Sequence, residues 1–151
     1  MSTMNPVEAW APPSARLDPP RLAPGEHGLI VVTIDVPDGC HIQSAQPAEP
    51  FLIPTSVEFE SLDDLSIGGA IYPEAECVHH EWTPVALSIY RGRVEVSVPV
   101  EVATSARPRV LTLTGRVRYQ GCTEYTCLPP VERPVEVHVE IVSPMAPAPW
   151  S

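Results

Sequence analysis

RVEVSVPVEV, residues 93–102, alternates with a period of two. Valines stand at 94, 96, 98, 100 and 102, while Arg93, Glu95, Ser97 and Glu101 take alternate places. Successive side chains of a strand point to opposite faces, so this stretch predicts a strand with one buried face and one solvated face. The same period runs outward in both directions. In GLIVVTIDV (28–36), Ile30, Val32, Ile34 and Val36 share a face. In RVLTLTGRVRYQ (109–120), Leu111, Leu113, Val117 and Tyr119 oppose Thr112, Thr114, Arg116, Arg118 and Gln120. PVEVHVEIV (134–142) sets Val135, Val137, Val139 and Ile141 inward. Shorter strands are predicted over 40–45, 55–60 and 85–90, between turn signals such as PDG at 37–39 and RG at 91–92. Seven or so half-apolar strands predict an all-β protein, a two-sheet antiparallel sandwich.

Composition agrees. The 151 residues hold twenty prolines, spread along the whole length. A proline costs roughly 3 kcal/mol inside a helix, so few windows are left for one. The length suits one domain with a genuine core. A net charge of −10, with no cluster of Lys or Arg, argues against a nucleic-acid partner and against an anionic membrane surface. No apolar run approaches the roughly 18 residues that span a bilayer. The opening MSTMNPVEAWAPPSAR lacks the basic-then-apolar pattern of an export signal. Residues 1–19 read as an extended Pro-rich arm, 20–142 as the sandwich and 143–151 as a disordered tail, with pairing at a sheet edge expected near the end of the Pro-rich stretch at about residue 26. Part of the long connection from Ser61 to Pro84 is expected to fold over something, because loops of that length in compact domains are usually functional or disordered.

The chemistry concentrates in YQGCTEYTCLPP (119–130). Cys122 follows one strand and Cys127 precedes another, so the residues between them form a hairpin loop or bulge. Facing Cα atoms of an antiparallel pair lie about 4.5–5.5 Å apart, within the roughly 4.4–6.8 Å that a disulfide accepts. Three readings stand: a structural staple, a metal clip or a working dithiol. As a staple, closing about six residues stabilises by only about 2 kcal/mol in the chain-entropy model. As a metal clip, the pair lacks the second close Cys or His pair that structural zinc needs.

These residues resemble the N-terminal extracytoplasmic domain of the thiol–disulfide interchange protein DsbD, the disulfide-bond-corrector family. Its members show Y-Q-x-C followed four or five residues later by C-x-P-P. VPDGCHIQSAQPAEPFLIPTSVEFE (36–60) and IYRGRVEVSVPVEV (89–102) are similar to two further family segments in the same order. The likeness runs from about Pro20 to Val142. It implies an immunoglobulin-like fold, no bound cofactor, and a reductase-type oxidoreductase acting as an electron relay. The implied donor is a thioredoxin-like domain. The implied acceptors are oxidised disulfide isomerases or cytochrome c maturation proteins. Location would be extracytoplasmic, on the periplasmic or cell-envelope side, with a cytoplasmic one left open by the opening residues.

Carried over by motif, Cys127 attacks partners and Cys122 resolves the mixed disulfide, flanked by Tyr119, Gln120, Gly121 and Tyr125. A cap loop covers the pair in this family. Here it corresponds to EAECVHHEWTP (74–84), longer than the family pattern and without its phenylalanine, so Trp82 is the expected cover and His79 the second choice. His41 and Gln43 fall where the family places tyrosines beside the cysteines. Glu74, Glu76 and Glu81 lie in or near the cap, where a carboxylate close to a thiol raises its pKa and slows its attack.

Cys40 is expected as a buried free thiol, pointing away from His41. Cys77 has three readings: a metal ligand with His79 and His80, a partner of Cys40, or an exposed thiol. Two rivals to the relay follow, a binding or accessory module with a structural hairpin disulfide attached to a redox enzyme, and a metal-binding domain built on Cys77.

Overall fold

The structure, a computed structural model, describes residues 6–79 and 85–144. Pro6–Ala9 form a short 3-10 turn, the one helical element among these residues. The strands are β1 (Ser14–Asp18), β2 (Arg21–Leu22), β3 (His27–Asp35), β4 (His41–Gln43), β5 (Ser56–Phe59), β6 (Leu65–Ile67), β7 (Glu76–Val78), β8 (Leu87–Tyr90), β9 (Arg93–Val102), β10 (Arg109–Tyr119), β11 (Gly121–Cys122) and β12 (Val131–Ile141).

They form three four-stranded sheets, ordered β1-β3-β9-β6, β2-β12-β10-β5 and β11-β4-β8-β7. Every pairing is antiparallel except the two-residue match of β2 with β12. The alternating residues of the sequence line the core. Ile30, Val32 and Ile34 of β3 and the five valines of β9 meet Leu113, Val117 and Tyr119 of β10 and Val135, Val137, Val139 and Ile141 of β12. Each buried aliphatic side chain contributes about 1.5–3 kcal/mol, so this double row dominates the stability. The gap in the β10 alternation is Gly115, where a Cβ would stand 2.6 Å from the Phe59 ring of β5. Phe59 covers that spot instead.

Two parts of the chain differ from expectation. The boundary read at residue 20 does not mark off the arm: the sheet-edge pairing expected near its end already begins with β1, which pairs with β3 along its whole length, from Ser14↔Thr33 to Asp18↔Leu29. Leu17 is buried in the core, Val7 is wholly buried, and Trp10 packs on the core's edge. Ala15 and Leu17 do alternate with Ser14, Arg16 and Asp18, but the flanking prolines hide so short a pattern. The described residues of the 61–84 connection, 61–79, are stitched to sheet edges. β6 joins β9, Ile71 bridges Ser97, and β7 joins β8.

Candidate functional site

The third sheet carries the cysteines. β10 ends at Tyr119, and after Gln120 the chain enters β11, where Gly121 pairs with Ile42 and Cys122 with His41. Cys127 then returns opposite Cys122 as an antiparallel bridge. The Thr123 amide donates to the Thr126 carbonyl at 2.8 Å, and the Leu128 amide donates to the Gly121 carbonyl at 2.8 Å. Bonds in those two places make Cys122 and Cys127 a non-hydrogen-bonded pair, the narrower antiparallel spacing of about 4.5 Å. Their Cα atoms are 4.0 Å apart and the sulfurs are joined as a disulfide. That is shorter than the spacing expected from the sequence, and the pair occupies the narrow position of the ladder.

Local hydrogen bonds hold the loop. Thr123 Oγ1 accepts from the amides of Tyr125 and Thr126, both at 3.2 Å. Gln120 ties the hairpin base to its neighbours: its Oε1 accepts from the Ile53 amide at 2.9 Å and its Nε2 donates to the Leu128 carbonyl at 3.2 Å. Gly121 is required by close approach, since a Cβ there would stand 2.6 Å from Val7 and 2.7 Å from the Trp10 ring. Trp10 in turn stacks on Tyr119 with centroids 6.3 Å apart.

The two sulfurs are not equivalent. Cys122 is 0% exposed, whereas Cys127 is half-buried and packs against a small cluster of Leu52, Leu87 and Ile89. Val78 of β7 packs on that same cluster, on the side of the pair where Cys127 lies. Gln43 is also 0% exposed; its Nε2 donates to Cys122 Sγ at 3.2 Å and to Cys127 Sγ at 3.7 Å. His41, 3% exposed, shares that face of β4.

Burial pushes the Tyr119 phenol up, with Arg133 pulling it partly back. It pushes Tyr90 up too, offset in part by the bond its oxygen accepts from the Ala45 amide at 3.0 Å. Beside the hairpin lies a cleft of about 320 Å³ bordered by Cys40, His41, His79, Arg91 and Glu124 among others.

The remaining expected residues fall as follows. His79 is exposed and borders the cleft; Tyr125 projects from the loop, 82% exposed. Glu76 is exposed and its carboxylate is held by Arg91, which directs its charge to the guanidinium. Trp82, His80 and Glu81 lie outside the described residues. Cys40 is free and half-buried against the core, while Cys77 is free and exposed, so the two are not bonded to each other. Among the described residues no three His, Cys, Asp or Glu side chains gather as a metal site.

Four contributors went unread in the sequence: Val7 and Trp10 under Gly121, Thr123 in the loop and Val78 in the cap. Only Trp10 carried a signal, as a large aromatic just ahead of the SARLD alternation.

The family model described as thiol:disulfide interchange protein DsbD, N-terminal, matches residues 10–138. The crystal structure of the Neisseria meningitidis DsbD N-terminal domain in its reduced form is similar at a TM-score of 0.53 and 18% identity, over 91% of this chain and 90% of that one. The N-terminal periplasmic domain of ScsB from Proteus mirabilis gives a TM-score of 0.49 at 15% identity, over 80% of this chain and 43% of that one. No curated protein sequence matches the chain. The expected immunoglobulin-like sandwich is borne out.

Proposed function

The chain belongs to the family of N-terminal domains of the thiol:disulfide interchange protein DsbD, and from that premise we propose that it relays electrons between proteins through Cys122 and Cys127. The observation that carries this reading is the asymmetry of the pair within an interchange family: one sulfur wholly buried, the other half-buried beside a cap strand. An incoming thiolate reaches Cys127 first. In the reducing half-reaction a thiolate of a thioredoxin-like dithiol donor attacks Cys127 Sγ, and the electron pair of the broken S–S bond passes to Cys122 Sγ. The donor's second thiol then attacks its own sulfur in the mixed disulfide, releasing Cys127 as a thiolate.

In the oxidising half-reaction the Cys127 thiolate attacks an oxidised protein disulfide, expelling one acceptor sulfur as a thiolate, and Cys122 then attacks Cys127 Sγ of the mixed disulfide, expelling the other and restoring the Cys122–Cys127 bond. Two electrons pass in each cycle and no cofactor is required. The acceptors are oxidised thioredoxin-fold proteins such as disulfide isomerases or cytochrome c maturation proteins, and the compartment is extracytoplasmic. Shielding favours the relay reading over the staple, because a reducing dithiol must be protected until its partner arrives.

A Cys122→Ser variant tests it, made in a Cys77→Ser background because Cys77 is also an exposed thiol. Mixed with an oxidised thioredoxin-fold protein, it should accumulate a disulfide-linked complex through Cys127, while Cys127→Ser in the same background should not. Absence of any complex, or equal trapping by both variants, contradicts the relay.

A further inference from the structure

We propose that Gln43 is the hydrogen-bonding partner that makes Cys122 a competent leaving group, an inference that rests on the relay reading above. When a donor thiolate attacks Cys127, negative charge appears on Cys122 Sγ, which is wholly buried. A thiolate generated in an apolar interior is unfavourable, so burial alone would raise the Cys122 pKa and slow the step. The Gln43 amide stands at that sulfur, with Nε2 3.2 Å from Cys122 and 3.7 Å from Cys127. Disulfide sulfurs carry no hydrogen, so the end of the amide facing them must be the NH2 group, and the orientation follows from chemistry. A hydrogen bond to an ionised sulfur is stronger than one to a neutral sulfur, and the gain therefore grows as the S–S bond breaks.

The other end of the amide adds to this. Gln43 Oε1 is buried and has no hydrogen-bond partner among the described residues. An unsatisfied buried acceptor destabilises, and it is the group a newly protonated sulfur needs. When one of its two sulfurs is protonated, the reduced pair presents one S–H and one thiolate, a donor and an acceptor side by side. Gln43 offers the complementary acceptor and donor in one rigid, uncharged group. The disulfide engages the donor end alone, with both sulfurs standing at Nε2.

The placement comes from pairing between distant parts of the chain. Cys122 pairs with His41 in β4, and Gln43, two residues on, lies on the same face of that strand. The Gln43 amide N–H also donates to the Gln120 carbonyl at 3.3 Å, while its carbonyl accepts from Thr55 Oγ1. Its backbone is thus fixed from two sides.

The test compares wild type with Gln43→Met, which keeps length and lacks the N–H, and Gln43→Glu, which keeps size and replaces the donor with a carboxylate. Thiolate formation is followed by ultraviolet absorbance, reduced minus oxidised, which isolates the pair from Cys40 and Cys77. Reduction rate and equilibrium are measured with dithiothreitol. Gln43→Met should raise the lower thiol pKa by about one unit and shift the equilibrium about tenfold toward the disulfide, equivalent to about 30 mV. Reduction should slow in step, and Gln43→Glu should move all three readouts in the same direction, at least as far.

Wild-type pKa and potential in the two variants overturn the proposal, and a variant that merely loosens packing would speed reduction instead. Should Gln43→Met not fold, Gln43→Glu carries the comparison. Failure of the wild-type protein to exchange with any thioredoxin-fold partner would sink the relay, whereas wild-type exchange with unaltered variants would sink only the role of Gln43.

Discussion

Gly121 shows how one missing side chain shapes the site. It sits one residue before the buried cysteine, and Val7 and Trp10 occupy the space a Cβ would need. Gly121→Ala must displace either the N-terminal segment or β11, and overpacking of this kind costs about 1–3 kcal/mol. Urea unfolding should show that loss, and an unchanged midpoint would mean that Val7 and Trp10 do not press on the site. The importance of the two cysteines was legible in the sequence because their spacing and flanking residues form a local motif. The role of Gln43 was not legible beyond its position. Its contact with Cys122 spans 79 residues of chain and depends on which residue of β4 pairs with which residue of β11.

At the scale of elements, the described part of the proposed cap carries a short strand, β7, rather than running as a free loop. β7 is anchored to β8 from Glu76↔Ile89 to Val78↔Leu87, with an exposed ion pair from Glu76 to Arg91 outside and Val78 packed inside. Exposed ion pairs contribute about 0.2–1 kcal/mol, so packing rather than charge holds the cover. Val78→Ala should therefore speed reduction of the pair by a small thiol severalfold, and Arg91→Ala should change it much less. The opposite ranking, measured under pseudo-first-order conditions, would assign the cover to electrostatics. The long strands could be read because ten or so residues of strict alternation leave little ambiguity. β1, β6 and β7 could not, because strands of three to five residues at sheet edges carry too few inward positions to stand out.

For the whole molecule, two large sheets bury the alternating aliphatic residues and leave the third, smaller sheet to hold the cysteines at its edge strand. The fold rests on the main core, so the pair is not needed as a staple: a loop of this length closed by a disulfide adds only about 2 kcal/mol. The sequence-based sandwich holds because its evidence is distributed over four long strands. The inclusion of residues before 20 emerged only from the pairing of β1 with β3. The central claim is that the Cys122–Cys127 disulfide works as an exchangeable pair. Its equilibrium reduction potential, measured by thiol trapping and mass spectrometry in a graded thiol buffer, tests this most directly. A value between about −180 and −270 mV, the span of interchange proteins, is expected; one well below about −300 mV, typical of structural disulfides, would contradict it.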